Sequence, residues 1–552
     1  MVQNVGVAVL YNRLVLRWVG SLLLGFLVAV GAEGQELRIR NVEIHTLQVF
    51  DPSLPQYRHT VFRIANKLHA RTRVSFLRRE LLFHEGELLD EELLRESERN
   101  LRAYSFLTDV SIRAVRVDDK HVDVLVNTED QWSTNVLLSL GKSKGAQDFD
   151  LGIHEQNFLG RGKDLQLRYE KNNEREGVIA AYSDPRFLGT WMRMTLHLGD
   201  TSDGYRVSFG MEQPFFAQSS RWSYVLQSDV LQRAEHLYSD GVDAAMLPYR
   251  QQAARASLQH AWGGAYRKIR AGVAASYDAI QYASEPVILD PDAASDPAVA
   301  DNLDPSGKEL WNVGAIFEQD SQRYVKLTYL DKFGRGEDLP VGSIFRANLF
   351  HSIDREGADY SSVFLSTGFA LRRSDSAYLT TNGEFTIRRQ AGEWNNTIAS
   401  FGLRYYHQAS GIPVLPARNL RQTLAVHLGA TLTSDVDAPF QLTLGESDGL
   451  RGYGYKEFAG QNRILLNLED RIFTPWENSL LGSAVVPFFD AGCIWDGTQR
   501  NWGASGGVGL RLGIKKYGNT QVVRIDFAVP LVNSSGHGMS VSVSSGQIFK
   551  VR

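Results

Sequence analysis

The sequence predicts a transmembrane antiparallel β-barrel, spanning about residues 132–552, preceded by one small α/β domain over about residues 36–130. Three observations carry this prediction. Past Trp132 the chain becomes a series of alternating segments of roughly 8 to 12 residues, divided by Gly, Asn and Asp clusters, which is the pattern of membrane strands. In two late segments one face is apolar and the other charged or small: Val508, Leu510, Leu512 and Ile514 alternate with Gly507, Gly509, Arg511 and Gly513, and Val523, Ile525, Phe527 and Val529 with Arg524, Asp526 and Ala528. Such a sheet suits lipid outside and a wet or packed lumen inside. Beyond the N-terminus no apolar run approaches the roughly 20 residues of a spanning helix, so strands must make the crossing and close on themselves to satisfy their backbone groups.

The totals agree with this reading. With 552 residues, 43% apolar and 22% charged, the chain has room for two domains and is too apolar to be disordered. A net charge of −4 with interspersed Lys and Arg excludes a nucleic-acid partner, which needs a concentrated basic surface. A single cysteine, Cys493, excludes an internal disulfide and a cysteine-based zinc cluster, and is most simply a small apolar filler. No GxSxG elbow, HExxH, P-loop or strand-to-helix dinucleotide fingerprint occurs, so the chain is expected not to be an enzyme and to need no cofactor or metal.

Taken in order, residues 1–32 read as a secretory signal. Arg13 and Arg17 precede WVGSLLLGFLVAVGA, which is too short to span and ends in small residues, with cleavage expected after about Ala32. The competing reading is an uncleaved anchor helix. Next, Leu37–Phe50 partly alternates as a strand. Val74, Leu77 and Leu81 recur at helical spacing, Gly86 breaks the run, and Asp90 can cap a helix bearing Leu94, Leu101 and Tyr104. Val110, Ile112 and Ala114, then Val122, Val124 and Val126, alternate as two further strands. A three-stranded sheet with helices on one face leaves an edge open to pair with an extended chain, and a rigid spacer below the barrel is the equal alternative.

Within the barrel region, candidate strands number about 15 before Gly445 and 5 after it, with those between Arg221 and Tyr277 readable as halves of longer strands or as extramembrane hairpins. The acidic stretch Asp290–Pro305 lacks an apolar period and is expected to be an exposed loop. At the C-terminus Met539, Val541 and Val543 alternate with serines before Phe549, as a closing strand with few side-chain contacts.

One constellation stands out. GESDGLRGYGYKEFAG contains Leu450-Arg451-Gly452-Tyr453, and NRILLNLEDR and PFFDAGCIWDG follow. The two-residue strand period puts Ile464, Leu466 and Leu468 on one face and Glu469 on the other, inward one, and puts Asp490 on a face with Val486 and Phe488, so the two carboxylates converge in the lumen if that face is also internal. Arg451, on a glycine-rich loop, can then fold inward and present its planar fork to one or both carboxylates. Losing such a partner in a hydrated lumen would cost roughly 1–3 kcal/mol.

These three segments resemble, in order and spacing, the sixth-loop RGF/RGY motif of the BamA/TamA outer-membrane assembly superfamily, its E-x-R strand and its F-x-D-x-G strand. EQNFLGRG at the barrel start and DPRFLG at Asp184–Gly189 are further matches. RRELLFHEGELLDEELLRESERNLRAYSFLTDVSI with VDVLVNTEDQWS is similar to the family's periplasmic POTRA domain. The likeness implies 16 strands, in preference to the up to about 20 that the chain itself suggests. It implies a home in the outer membrane of a Gram-negative-type bacterium, with the POTRA-like domain in the periplasm. It also implies a role in assembly or translocation: unfolded outer-membrane or secreted protein clients would be received by that domain and inserted or exported through the barrel, with outer-membrane lipids and periplasmic or inner-membrane accessory proteins as further partners. Phe549 then corresponds to the terminal aromatic of the last strand, apart from three residues that follow it, and the seam between first and last strands to a lateral gate. The alternative is a passive pore or structural barrel without insertase activity.

Overall fold

The computed structural model describes residues 36–549 except 144–145, 265–266, 332, 335, 355–358, 411–419, 477–479, 516–521 and 533–537. The expected signal segment lies outside the described residues. At the N-terminus come β1 (Arg38–Leu47), α1 (Thr60–Leu68), α2 (Val74–Glu80), α3 (Glu91–Ala103), β2 (Leu107–Arg116) and β3 (His121–Asp130). The sheet order is β1-β3-β2, with β3 parallel to β1 and antiparallel to β2. Alternation in β3 turns Val122, Val124 and Val126 into a core with Leu77, Leu94, Leu101 and Phe106. At the start of α3 the Asp90 carboxylate accepts the N–H groups of Glu92 and Leu93. Sequence reasoning did not foresee α1. It follows a one-turn helix at Pro55–Tyr57, and Phe62 packs its ring on Phe50 and Tyr57.

From Thr134 onward the chain forms a closed antiparallel barrel. Of its 22 strand segments, Val287–Ile288 is a two-residue addition beside Val242–Gly263, and Arg323–Thr328 prolongs Lys308–Asp320 along Gly336–Asp354. The neighbours of both pair directly past them, so among the described residues the ring has twenty strands. The preference for 16 is thereby corrected to the number suggested by the chain itself. Trp222–Ser239, Val242–Gly263 and Lys268–Tyr282 are three full-length wall strands rather than halves. Inside–outside alternation is strict near the end: Val508, Leu510 and Leu512 are 42–48% exposed, whereas Arg511 among them is fully buried. No helix among the described residues is long and apolar enough to cross a membrane.

The ring ends are distinguished by the N-terminal domain. Turns 159–162, 185–192 and 214–221 lie on its side, the proximal rim, and contact it. On the distal side, Asp290–Pro305 is an exposed connection, as expected, but one with local structure of its own. Asp290 and Asp296 cap two one-turn helices, and Ala294 and Val299 are buried against Leu237, Ala244, Ala245 and Leu247. Asp290 and Asp296 begin the two helices while Asp292, Asp301 and Asp304 stay exposed, and two small apolar side chains suffice to seat the segment.

The closing strand is also shorter than expected. It runs Ser540–Ser545, pairs with Val522–Val532 and completes the ring against Thr134–Ser143. Met539 precedes it, and Val541 and Val543 lie within it. Phe549 does not belong to it: Gly546 adopts φ +86°, and the chain turns into the lumen, where Phe549 stacks on His427 with ring centroids 5.3 Å apart. Gly546 allows this left-handed turn at no steric cost. A hairpin around residues 323–341 enters from the proximal side, and Leu330, Leu339 and Phe549 share one cluster with the inward-facing Tyr378, Tyr406 and Ala425.

Candidate functional site

The distal loop that carries Arg451 is bent inward by its own short-range structure. Leu442–Leu444 pairs with Phe458–Gly460 as a narrow neck. Between them a Cβ on Gly445 would fall 2.4 Å from the Gly454 carbonyl oxygen, and Gly449 and Gly452 take φ of +100° and +93°. Those conformations require glycine at the tip of a loop this tight. Leu450 is fully buried with Leu444, Leu465 and Ile494, which draws the tip against the wall. Tyr453 fills the notch over Gly503, where any Cβ would lie 2.6 Å from its ring, and its hydroxyl accepts the Ala504 N–H at 2.9 Å and donates to the Val532 carbonyl.

Arg451 reaches all its partners from this anchor. Nε and one terminal nitrogen donate to the two oxygens of Asp490 at 2.7 and 2.8 Å, the forked geometry that a guanidinium and a carboxylate favour. The other terminal nitrogen donates to Glu469 at 3.0 Å and to Asp526 at 3.3 Å. The guanidinium also lies 3.5 Å over the face of Phe488. Asn467 donates to Asp490 and to the Gly449 carbonyl, both at 2.8 Å. The structure thus brings together Arg451, Glu469 and Asp490, as the strand period suggested.

Three partners were not foreseen. Asp526, Arg471 and Arg511 stand on inner faces that alternation could identify, but their meeting depends on strand register. Arg471 Nε donates to Glu469 at 2.9 Å, and Arg511 donates to Glu469 at 3.2 Å and to Asp526 at 2.5 Å. Three guanidiniums face three carboxylates, all nearly inaccessible, so each charge has direct opposite partners where water screening is weak. The two outer arginines continue the network. Arg471 donates to the carbonyls of Leu330 and Phe549 at 2.7 and 3.2 Å, and Arg511 to the Gln547 side chain at 3.2 Å. One cluster therefore holds the distal loop, the proximal hairpin and the C-terminal tail.

A second latch holds the loop at the distal rim. Lys456 pairs with Glu174 in turn 172–175, and Tyr238 donates to the same carboxylate at 3.0 Å. Burial would raise the Glu174 pKa, but Lys456 and Arg175 outweigh it and hold the carboxyl below its ordinary value.

At the proximal rim, the two F-L-G segments are where the N-terminal domain docks. The Asn157 amide donates to Thr72 Oγ1 at 2.8 Å, and its oxygen accepts the Gly162 N–H at 2.8 Å. Gly160 and Gly162, at φ +70° and +66°, leave no space for a Cβ: it would fall 2.0 Å from the Arg71 carbonyl and 2.4 Å from the Phe76 ring. Arg186 of DPRFLG donates to buried Glu80 at 2.6 Å and lies over Trp191. The repeated motif was visible in the sequence, whereas its partners in the small domain were not.

The profile of the Omp85 superfamily domain matches residues 157–549. Among solved structures, BamA from Haemophilus ducreyi lacking POTRA domains 1–3 is 13% identical, with 93% of this chain and 85% of that chain covered and a TM-score of 0.38. CdiB from Acinetobacter baumannii is 12% identical, with 93% and 74% covered and a TM-score of 0.43. CdiB from Escherichia coli is 13% identical, with 93% and 77% covered and a TM-score of 0.45. Comparison with curated proteins finds no match. The family match takes in well over half of the chain, including the neck, the loop, all three carboxylates and the tail, and this protein belongs to the Omp85 superfamily.

Proposed function

We propose that this protein assembles or translocates client proteins at the outer membrane, receiving them at its N-terminal domain and passing them to the barrel. In this reading residues 36–130 are a POTRA domain in the periplasm, the proximal rim is the periplasmic one, and residues 1–32 are the export signal. The open edge of the β1-β3-β2 sheet offers backbone hydrogen bonds to an extended client. The observation that carries the proposal is the cluster around Arg451. It ties a distal loop to the strands next to the seam and to the tail that leaves the closing strand at Ser545, so the state of the seam and the state of the lumen are mechanically linked. No nucleotide-binding motif is present in the sequence, and client folding supplies the free energy.

The test is reconstitution. Insertion of a labelled barrel client into liposomes, dependent on this protein and lowered by a disulfide between Thr134–Ser143 and Ser540–Ser545, is expected. Unaffected insertion with the seam cross-linked overturns the seam's role. Steady ion conductance without insertion favours the second reading, a passive pore. That reading has its own support in a cavity of about 300 Å³ along the early wall strands, lined by Arg168, Glu170, Arg206 and Arg233.

A further inference from the structure

The chain is mildly acidic overall, yet residues 52–79 contain no Asp or Glu and seven basic residues: Arg58, Arg63, Lys67, Arg71, Arg73, Arg78 and Arg79. All seven are exposed. Among the described residues Arg78 has a carboxylate partner, Glu85, while Arg58 and Arg63 make only contacts to neighbouring oxygens of their own segment. On α1, Val61 and Ile64 stand one turn apart and are 63% and 53% exposed, on the side away from Phe62 and its aromatic partners. A short helix with a bare aliphatic stripe flanked by Arg63 and Lys67 is the pattern of a segment lying in a bilayer interface.

A second, independent observation fixes where this segment stands. Both F-L-G turns hold their leucine in the left-handed region, Leu159 at φ +58° and Leu188 at +54°, a costly conformation for this residue. Both leucines are exposed, Leu159 at 53% and Leu188 at 83%. Each has an arginine of the basic segment beside it. Arg73 donates to the Leu159 carbonyl at 2.9 Å, and the Arg79 guanidinium lies 3.6 Å from where a Cβ on Gly189 would stand. Exposed apolar side chains at a barrel rim with guanidiniums immediately beside them pair the two chemistries that suit a lipid leaflet, acyl chains and phosphates. From Arg71, packed on Gly160, back to the end of α1 at Leu68 is three residues, at most about 11 Å. That reach covers the depth of a headgroup layer, roughly 5–8 Å.

We propose that residues 52–79 dock on the anionic phospholipid surface of the leaflet at the proximal rim, with Val61 and Ile64 entering the headgroup region and the basic side chains binding phosphates. The occupant is the bilayer itself, and it would hold the N-terminal domain down beside the first barrel strand. Assigning this to the periplasmic leaflet rests on the domain placement proposed above, whereas the docking does not.

The full chain carrying Cys493→Ser and Thr60→Cys, labelled at the new thiol, is placed in nanodiscs of phosphatidylcholine alone or mixed with phosphatidylglycerol, with a quencher attached near the lipid headgroup. Strong quenching in the anionic discs, weak quenching in the neutral ones and loss on adding salt to the otherwise native segment are expected. Arg58→Gln, Arg63→Gln and Lys67→Gln should each lower the docked-to-free ratio roughly fivefold. Equal quenching in both discs, none in either, or shielding of the label only after a soluble acidic protein is added overturns the proposal. Trypsin cleavage within 52–79 in intact cells would overturn the periplasmic placement instead, a failure that the disc measurement distinguishes.

Discussion

The guanidinium of Arg451 uses its geometry as much as its charge. Two nitrogens grip Asp490 while the third bridges Glu469 and Asp526, an arrangement that a lysine ammonium cannot copy because it has no planar fork. With the side chain only 2% exposed, breaking the set costs about 3–5 kcal/mol, above the 1–3 expected of a hydrated lumen. Arg451→Ala is expected to leave the barrel inserted, speed protease cutting within 445–460 and lower client assembly, and Arg451→Lys to recover little of either. Unchanged cutting and unchanged assembly in Arg451→Ala would remove the tether from the account. The distal latch makes a separate forecast in pH. Because the Glu174 carboxyl titrates below its ordinary value, its contribution is fully present above about pH 4.5 and disappears as pH falls through the depressed value. Protease access to the loop should rise on acidification there, and Glu174→Gln should raise access at neutral pH and flatten the dependence. The inward direction of Glu469 could be read from alternation alone, whereas for Asp490 alternation gave the face it shares with Val486 and Phe488 but not that this face is internal. The pairings of Arg471, Arg511 and Asp526 could not be read from it, because in the observed register Glu469 stands opposite Phe488 and Arg511 opposite Arg524, and no sequence pattern states that register.

Among the elements, turns and ends decide more than strands do. The wall strands announce themselves by period two, but the glycines of the first F-L-G-R-G turn matter for what approaches them from the small domain. Gly162→Ala is expected to push Phe76 off its seat and weaken domain docking by about 1–3 kcal/mol, read as faster proteolysis between residues 131 and 163 with the barrel intact. The tail behaves similarly. Phe549 is held by His427, Tyr406 and the Arg471 hydrogen bond, so Phe549→Ala should cost about 3–5 kcal/mol at the seam and lower the temperature at which heated samples lose their compact gel mobility. Equal mobility shifts in mutant and parent would mean the tail adds nothing to closure. Neither α1 nor the tail's inward turn was legible in advance. The TVFRIANKL segment spreads its apolar residues over two faces, only one of which meets protein, and a terminal aromatic reads equally well as strand or tail until Gly546 is seen at positive φ.

The whole molecule follows its own count of segments rather than its family's expected number. Alternation and turn spacing were enough to suggest twenty strands, and the preference for sixteen came from likeness where that likeness is thinnest, across the long strands from Trp222 to Tyr282. Contacts also run the full height of the protein. Arg102 on α3 binds Asp338 of the proximal hairpin at 3.0 Å, the hairpin's Leu330 and Asp331 bind Arg471, and Arg471 reaches Arg451 through Glu469. The carboxylates that receive Arg451 come from three separate strands, Asn462–Phe473, Leu481–Asp496 and Val522–Val532, and the tail arrives only after the last strand is laid down. During biogenesis the loop is therefore made before its docking place exists. It stays unsatisfied until nearly the final residues have been threaded, and so its capture serves as an internal certificate of completion, withheld from any chain that stops short.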